Sequence, residues 1–366
     1  MTLVRFGLSR IAAALLMAGA VQASAEELHV YNWSDYIAEE TVARFEAETG
    51  IKVVYDLYDS NEVLEAKLLA GSSGYDLVFP TARPFADRHL SAGIYQKLDS
   101  AKLTNHQNLD PVILKSLADI DPGNQFLVPY MWGTTGIGYN VTKVKAILGD
   151  EMPLDTWRLV FDPKIVAKLA GCGVSLMDDS TEVFVAARAY LGKPTDDFSK
   201  SAIAEAAQAV NRVRPQLRYF HSSQYINDLA NGDTCVAHGY SGDLLQARDR
   251  ASEAGNGVEI AYVVPAEGAV VWTDVMAIPK DAPNPAAAHK FIDYLLQPQV
   301  IAEITNYVAY ANANAAATDL VDEAIRSDAG IYPPVQTLAK LLVLKTPTDK
   351  QARAMNRAWT RVKTGQ

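Results

Sequence analysis

Apolar and polar positions alternate in a repeating order over the first third of the chain. Residues 28–33 (LHVYNW) form a short β-rich run. Ser34 and Asp35 are helix N-cap types, and Ile37, Val42 and Phe45 follow at helical spacing up to Gly50, a natural residue just past a helix end. Residues 51–58 (IKVVYDLY) predict a second strand. Asp59 stands three residues before Glu62, which predicts a variant capping box opening a helix over 63–70. Residues 75–80 (YDLVFP) predict a third strand. The order β-α-β-α-β implies an α/β fold with a largely parallel sheet.

The pattern resumes further along. Residues 136–140 and 173–177 read as strands, and 182–191 and 203–213 as helices. Residues 234–239 predict a strand, followed by a helix through 244–251. Residues 258–265 and 270–279 are strong strand runs, and from Pro283 the pattern is mostly helical. No internal repeat or low-complexity linker is visible. Two halves joined by strand crossings, with a cleft between them, fit this pattern better than two domains on one flexible linker.

Composition narrows the class. At 366 residues the chain has the length of about two domains. An apolar fraction of 49% excludes wholesale disorder. A formal charge of −10 argues against nucleic acid as a partner, since phosphate binding needs a basic face. Two cysteines exclude a disulfide-dense scaffold, a zinc ribbon and a cysteine-ligated iron–sulfur cluster.

The first 25 residues read as a secretory signal peptide. Arg5 and Arg10 form a basic leader, residues 11–21 are apolar, and Ala23-Ser24-Ala25 is a small-x-small cleavage pattern. An N-terminal membrane anchor is the alternative, but the run is short for a span. No cysteine follows it, which argues against a lipoprotein anchor. Export points to a bacterial periplasm, where Cys172 and Cys235 can pair; two separate buried thiols are the alternative.

Enzyme signatures are missing. The chain has no G-x-S-x-G elbow, no phosphate-binding P-loop, no H-E-x-x-H and no G-x-G-x-x-G after a strand. Its six histidines show no metal-ligand spacing. No catalytic residue, metal or cofactor is therefore expected. What stands out is where aromatics and acids coincide: Trp33-Ser34-Asp35-Tyr36, Tyr240-Ser241-Gly242-Asp243 and Trp272-Thr273-Asp274. The first two mark strand-to-helix turns, which line the ligand crevice in open α/β sheets. Asp274 is a poor strand former in an apolar run. A ring face and a carboxylate side by side suit an alkylammonium ion. Each motif also has a plainer reading: a helix cap with a core tryptophan, a turn, or a satisfied polar residue.

The segments YNWSDYI (31–37), DSNEVLEAKLLAG (59–71), YMWGTTGIGYN (130–140), RYFHSSQYINDLANGD (218–233), YANANAA (310–316) and GIYPP (330–334) resemble the periplasmic putrescine-binding proteins of bacterial polyamine ABC importers. The likeness covers essentially the whole mature chain. It implies a two-lobed type II periplasmic binding protein fold with a central ligand cleft. Lobe one would hold 26–138 and 260–312, and lobe two 142–257 and 316–366, with hinge crossings near 139–141, 258–259 and 313–315. The resemblance implies an aromatic box of Trp33, Tyr36, Tyr240, Trp272 and Tyr310. Asp35, Asp243 and Asp274 would hold ammonium groups, Glu182 would add an acid from lobe two, and Ser34 and Thr81 would add polar contacts. The family's cysteine pair matches Cys172 and Cys235. An inner-membrane ABC permease would be the partner of a monomeric receptor.

The sequence also departs from the family. Tyr240 stands where a tryptophan is common. Residues 81–84 (TARP) replace a serine-rich stretch and carry one extra residue, and Arg83 brings a cation near a pocket expected to bind cations. Trp272 narrows the pocket relative to the phenylalanine of some relatives. The ligand is thus left open among putrescine, cadaverine, agmatine and spermidine. Rival readings are a sugar receptor on the same fold, a ligand sensor without transport, and an amine-processing enzyme.

Overall fold

The computed structural model describes residues 26–365, so the expected signal peptide lies outside the described residues. Two large hydrophobic cores divide most of the chain, with a small third cluster of Leu245, Ala309, Ala311 and Ile331. One gathers Leu28, Val30, Phe45, Leu77, Phe79, Met131, Met276 and Phe291. The other gathers Ile137, Trp157, Phe161, Val174, Val236, Leu244 and Trp359. Burial of these side chains is the main favourable term holding each lobe together.

In the first lobe, Glu27–Trp33 is the middle of three parallel strands, flanked by Lys52–Tyr58 and Leu77–Val78. Single bridges at Val78 to Ala277 and Thr81 to Asp274 tie the third strand to the antiparallel strand Ala269–Met276. That strand pairs with the first part of Val128–Asn140. The second part of Val128–Asn140 belongs to the other lobe. There Thr135 to Tyr139 pairs with Val236–Tyr240, and Ile137 to Asn140 pairs with Ile260–Val263. Val174–Leu176 and Tyr219–Phe220 complete that sheet. One strand of 13 residues is therefore shared by both lobes.

Several elements differ from the sequence expectation. The expected strand at 136–140 is only the end of Val128–Asn140. All but one of its 13 residues are buried, so the period-two pattern that marks a half-exposed strand is absent. The first helix begins at Glu39 with Ala38 as N-cap, not at Ser34 or Asp35. The Ser34 N–H instead donates to the Tyr58 carbonyl at 3.1 Å, and Asp35 turns the chain with φ 53°. The second helix, Asn61–Leu69, is capped by Ser60, whose hydroxyl accepts from the Val63 N–H, rather than by Asp59. The largely helical C-terminal part holds two more strands: Ala311–Asn312, antiparallel to Val128–Asn140, and Leu341–Val343, parallel to Ala269–Met276.

Core membership also divides the chain differently from the expectation. Ile260 and Ala269 pack in the second core, whereas Ala317 and Val321 pack in the first. The expected boundaries at 258–259 and 313–315 put these four residues the other way. Hydrophobic periodicity locates a strand or helix but does not say which core it covers.

Cys172 and Cys235 are bonded, with Cα atoms 5.5 Å apart and a sequence separation of 63. The bond joins the turn before Val174–Leu176 to the start of Val236–Tyr240. Closing so long a loop restricts the unfolded chain. The paired variant Cys172→Ser/Cys235→Ser is expected to lose about 2–4 kcal/mol of stability. A lowered urea midpoint checks this, and an unchanged midpoint would refute it.

Candidate functional site

A cavity of about 410 Å³ opens between the lobes where the strand ends converge. The tip of Glu27–Trp33 supplies Trp33, Ser34 and Tyr36, and the tip of Lys52–Tyr58 supplies Tyr58 and Asp59. Thr81 follows the third strand, and Trp272 and Asp274 come from Ala269–Met276. The second lobe adds Ser222, Ser223, Tyr240 and Asp243, and Tyr310 stands just before Ala311–Asn312. Most of these positions lie at strand termini, as expected for a ligand crevice in this class of sheet.

The rings form a box with largely edge-on contacts. Tyr240 and Tyr310 each place a ring centroid 5.5 Å from Trp272. Trp33 lies 6.0 Å from Tyr240 and 4.7 Å from Tyr58. The Trp33 indole N–H and the Tyr58 hydroxyl both donate to the Phe79 carbonyl, at 2.8 and 2.6 Å. Their polar ends are thus satisfied outside the cavity, leaving ring faces to line it.

Two buried carboxylates sit in this box, one on each lobe. Asp274 accepts from the Thr81 hydroxyl at 2.6 Å, and Thr81 in turn is held by the Asn61 amide at 2.9 Å. The Tyr36 hydroxyl neighbours the same carboxylate without a hydrogen bond of good geometry. Asp243 accepts from the Tyr310 and Tyr225 hydroxyls, both at 2.6 Å. These donors are all neutral. Burial pushes both carboxyls up to about 7, against the partial relief those hydroxyls give. The structure thus holds two acids that gain charge only at a high desolvation cost, and a bound cation would remove that cost.

Two of the residues named from the sequence stand apart from the cavity wall. The Asp35 carboxylate is half-exposed and pairs with Arg250 at 2.6 Å, linking the two lobes beside the cleft. Glu182 is buried on Ser180–Tyr190 and lines a smaller enclosed cavity of about 170 Å³ with Thr135 and His238. Burial, then the charge of Asp179, raises its carboxyl well above the usual range. The other named residues, Trp33, Ser34, Tyr36, Thr81, Tyr240, Asp243, Trp272, Asp274 and Tyr310, converge on one cavity. Arg83 does not reach it. Its guanidinium pairs with Asp119, and it lines a separate outer cavity.

Sequence reading missed Tyr58, Tyr225, Asn61 and the serine pair 222–223. Tyr225 also accepts from the Tyr240 N–H at 3.2 Å, so one hydroxyl fixes both an acid and a ring of the box. Asn61 and Tyr58 sit in segments that the sequence marks only as helix start and strand end. Ser222 and Ser223 fall inside the quoted segment 218–233, and that run was the available signal for them.

Two lobes sharing one strand, with an acid-and-aromatic cleft between them, define a binding protein of the two-lobed type II class. The chain belongs to the bacterial extracellular solute-binding proteins, whose family model matches residues 40–333. It is 54% identical over 362 residues to the putrescine-binding periplasmic protein PotF of Escherichia coli (strain K12), covering 98% of each chain. It is 52% identical to the putrescine-binding periplasmic protein SpuD of Pseudomonas aeruginosa (strain UCBPP-PA14), covering 99% of each. The solved structure of the Tp0655 (TpPotD) lipoprotein of Treponema pallidum superimposes with a TM-score of 0.75 at 30% identity, over 93% of this chain and all of that one. These relatives carry binding-protein or lipoprotein names, not enzyme names. Among the described residues no helix is long and apolar enough to cross a membrane.

A cation held by these two carboxyls would inherit a pH dependence from them. Below about pH 7 the ligand-free site holds protons that a cation must displace. Diamine affinity is expected to be full above that pH and to fall below it by up to about tenfold per pH unit for each carboxylate. The stability sign is the reverse. The unfolded chain ionises first, so these two groups reduce ligand-free stability as pH rises from the ordinary 3.8 towards about 7. Titration calorimetry between about pH 5 and 8, in two buffers of different ionisation enthalpy, reads both the affinity and the released protons. A flat affinity with no proton release would refute the charge assignment.

Proposed function

We propose that this chain is a periplasmic receptor that captures a polyamine between its lobes, with putrescine or a similar diamine favoured, and delivers it to an inner-membrane ABC permease. The observation that carries this reading is the pair of buried carboxylates, Asp243 and Asp274, in an aromatic cavity where every hydrogen-bond donor to them is a neutral hydroxyl. A dication supplies what that arrangement lacks. Each ammonium gains charge-assisted hydrogen bonds, and the methylene chain packs on the rings of Trp33, Tyr240, Trp272 and Tyr310. A neutral sugar would leave both desolvated acids uncompensated.

Putrescine stands in the names of four relatives at 54, 52, 44 and 39% identity, with agmatine or cadaverine beside it in two of them. The names that add spermidine belong to relatives at 33–34%. This gradient supports a diamine over a triamine. The relatives named as periplasmic also support export; the small-x-small pattern Ala23-Ser24-Ala25 places the proposed cleavage after Ala25.

Closure follows from ligand geometry. A molecule held by Asp274 of one lobe and Asp243 of the other binds the closed form better than the open form, and so shifts the population toward closure. We take the moving bodies as 26–131 with 270–344 and 137–269 with 355–365, which follows most of the buried residues of the two large cores, with Val185 packing across. The crossings between them lie in Val128–Asn140, near 269–270 and after Leu344. The Asp35–Arg250 pair joins the two bodies at the rim of the cleft, and the closed receptor is the form that docks on the permease.

The test is titration calorimetry on protein unfolded and refolded to strip carried ligand, with putrescine, cadaverine, agmatine and spermidine against maltose and glutamate. One-to-one binding of an amine is expected. Asp274→Asn should weaken diamine binding by more than about tenfold, or 1.4 kcal/mol. Its ligand-free melting temperature near pH 8 should stay level or rise, because a costly buried charge is gone. A folded wild type that binds no amine would end the polyamine reading.

A further inference from the structure

The last helix, Asp349–Thr364, is basic in an acidic protein. It carries Lys350, Arg353, Arg357, Arg361 and Lys363 against one acid, Asp349, while the whole chain has a formal charge of −10. Its buried face is Met355, Ala358, Trp359 and Val362, which joins the second core and packs on Lys200–Val213. The Trp359 indole N–H donates to the Asp178 carboxylate at 2.7 Å, and Lys363 pairs with the same carboxylate at 2.8 Å. Lys350, Arg353, Arg357 and Arg361 lie on the opposite face, all exposed. Of the cations on this helix, only Lys363 has an ion-pair partner among the described residues. Helix energetics does not account for the stripe. Arg353 with Arg357, and Arg357 with Arg361, are like charges at i,i+4, which destabilise a helix. Lys350 stands in the first turn, where the dipole disfavours a cation. A row that costs the helix stability and leaves its guanidinium groups unpaired is suited to an anion outside the molecule.

We infer that this helix face is a docking surface for an anionic phospholipid bilayer, which holds the exported receptor beside the membrane. This rests on the export reading and is independent of which amine the cleft binds. The row from Arg353 to Arg361 runs about 12 Å along the helix, so a plane of headgroups can meet all of it. Guanidinium forks match phosphate oxygens two at a time. Arg214 extends the basic surface at the helix end, where its guanidinium donates to the Lys363 carbonyl at 2.9 Å. A protein partner would call for an apolar or aromatic anchor at the centre of the patch. This face has none, since no large hydrophobic side chain of the helix is exposed. Charge alone is what a lipid headgroup layer asks for, and each cation held near such a surface adds to binding. The negative charge of the body does not cancel the attraction, because charges more than about 8 Å away are largely screened at physiological ionic strength.

Sedimentation of the chain from Glu26 onward with vesicles tests this, using phosphatidylcholine alone and an equimolar mixture with phosphatidylglycerol. The chains compared are wild type, Arg353→Gln/Arg357→Gln/Arg361→Gln, and Lys97→Gln/Lys115→Gln/Lys280→Gln, which removes the same charge from exposed lysines of the first lobe. At low salt, wild type and the lysine variant should bind the anionic vesicles and not the neutral ones, and raised salt should release them. The arginine variant should bind about tenfold more weakly or worse. Its melting temperature should stay level or rise, because the like-charge pairs are gone, and its putrescine affinity should match wild type. Wild type that ignores anionic vesicles overturns the lipid surface and leaves the stripe to an acidic protein. An arginine variant that binds like wild type overturns it too. Equal loss in both variants overturns the assignment to this helix, since net charge alone would then decide. If the arginine variant does not fold, Arg357→Gln alone carries the test: a loss of about threefold supports the surface, and unchanged binding overturns it. Amine binding is read separately, so a failure of the polyamine reading leaves the vesicle result standing.

Discussion

Removing a carboxylate from water without giving it a cation costs several kcal/mol, and this fold does so twice in one cleft. Asp243 and Asp274 are each held by neutral hydroxyls, which orient them but do not neutralise them. Much of the surrounding structure follows from that. Tyr225, Tyr310, Thr81 and Asn61 are committed to fixing the two acids. The aromatic walls exclude water and keep the local dielectric low, which strengthens the attraction for a cation. Ionising these two carboxyls carries a desolvation cost that a cation placed beside them would offset.

The same constraint links the site to motion. Asp274 stands next to Val275 of one hydrophobic core and Asp243 next to Leu244 of the other, and the cores are joined through a strand that both sheets share. Neither lobe alone presents both charges. The cleft draws its wall from both lobes, and the Asp35–Arg250 pair is a contact across them. Its half-exposed position makes it a weak stabiliser by itself, because solvent screens it.

Glycine has a specific place in this design. Gly133 makes room for the Trp272 ring, and at Gly242 a Cβ would come within 2.4 Å of the Tyr310 ring. Both stand where an aromatic must lie flat against backbone. The box is therefore shaped as much by missing side chains as by the rings themselves, and its volume is sensitive to single methyl groups.

The sequence by itself determined the α/β class, the early strand-helix order and the coincidence of acids with aromatics, because periodicity and residue chemistry are local properties. Resemblance to a family then brought Trp33, Tyr36, Tyr240, Trp272 and Tyr310 together on paper. Tertiary structure decided the rest. It carried Val128–Asn140 through both lobes, which no local pattern marks in a strand buried on both faces. It moved the first helix start to Glu39, since the 34–37 turn is held by Tyr58 from another strand. It set the Asp35 carboxylate against Arg250 and Glu182 beside His238, away from the main cavity wall. It also recruited Tyr225 and Asn61, whose roles depend on partners 18 and 20 residues away. Which side chains meet across a cleft is fixed by how two cores pack around a shared strand, and that is a non-local outcome that residue spacing does not encode.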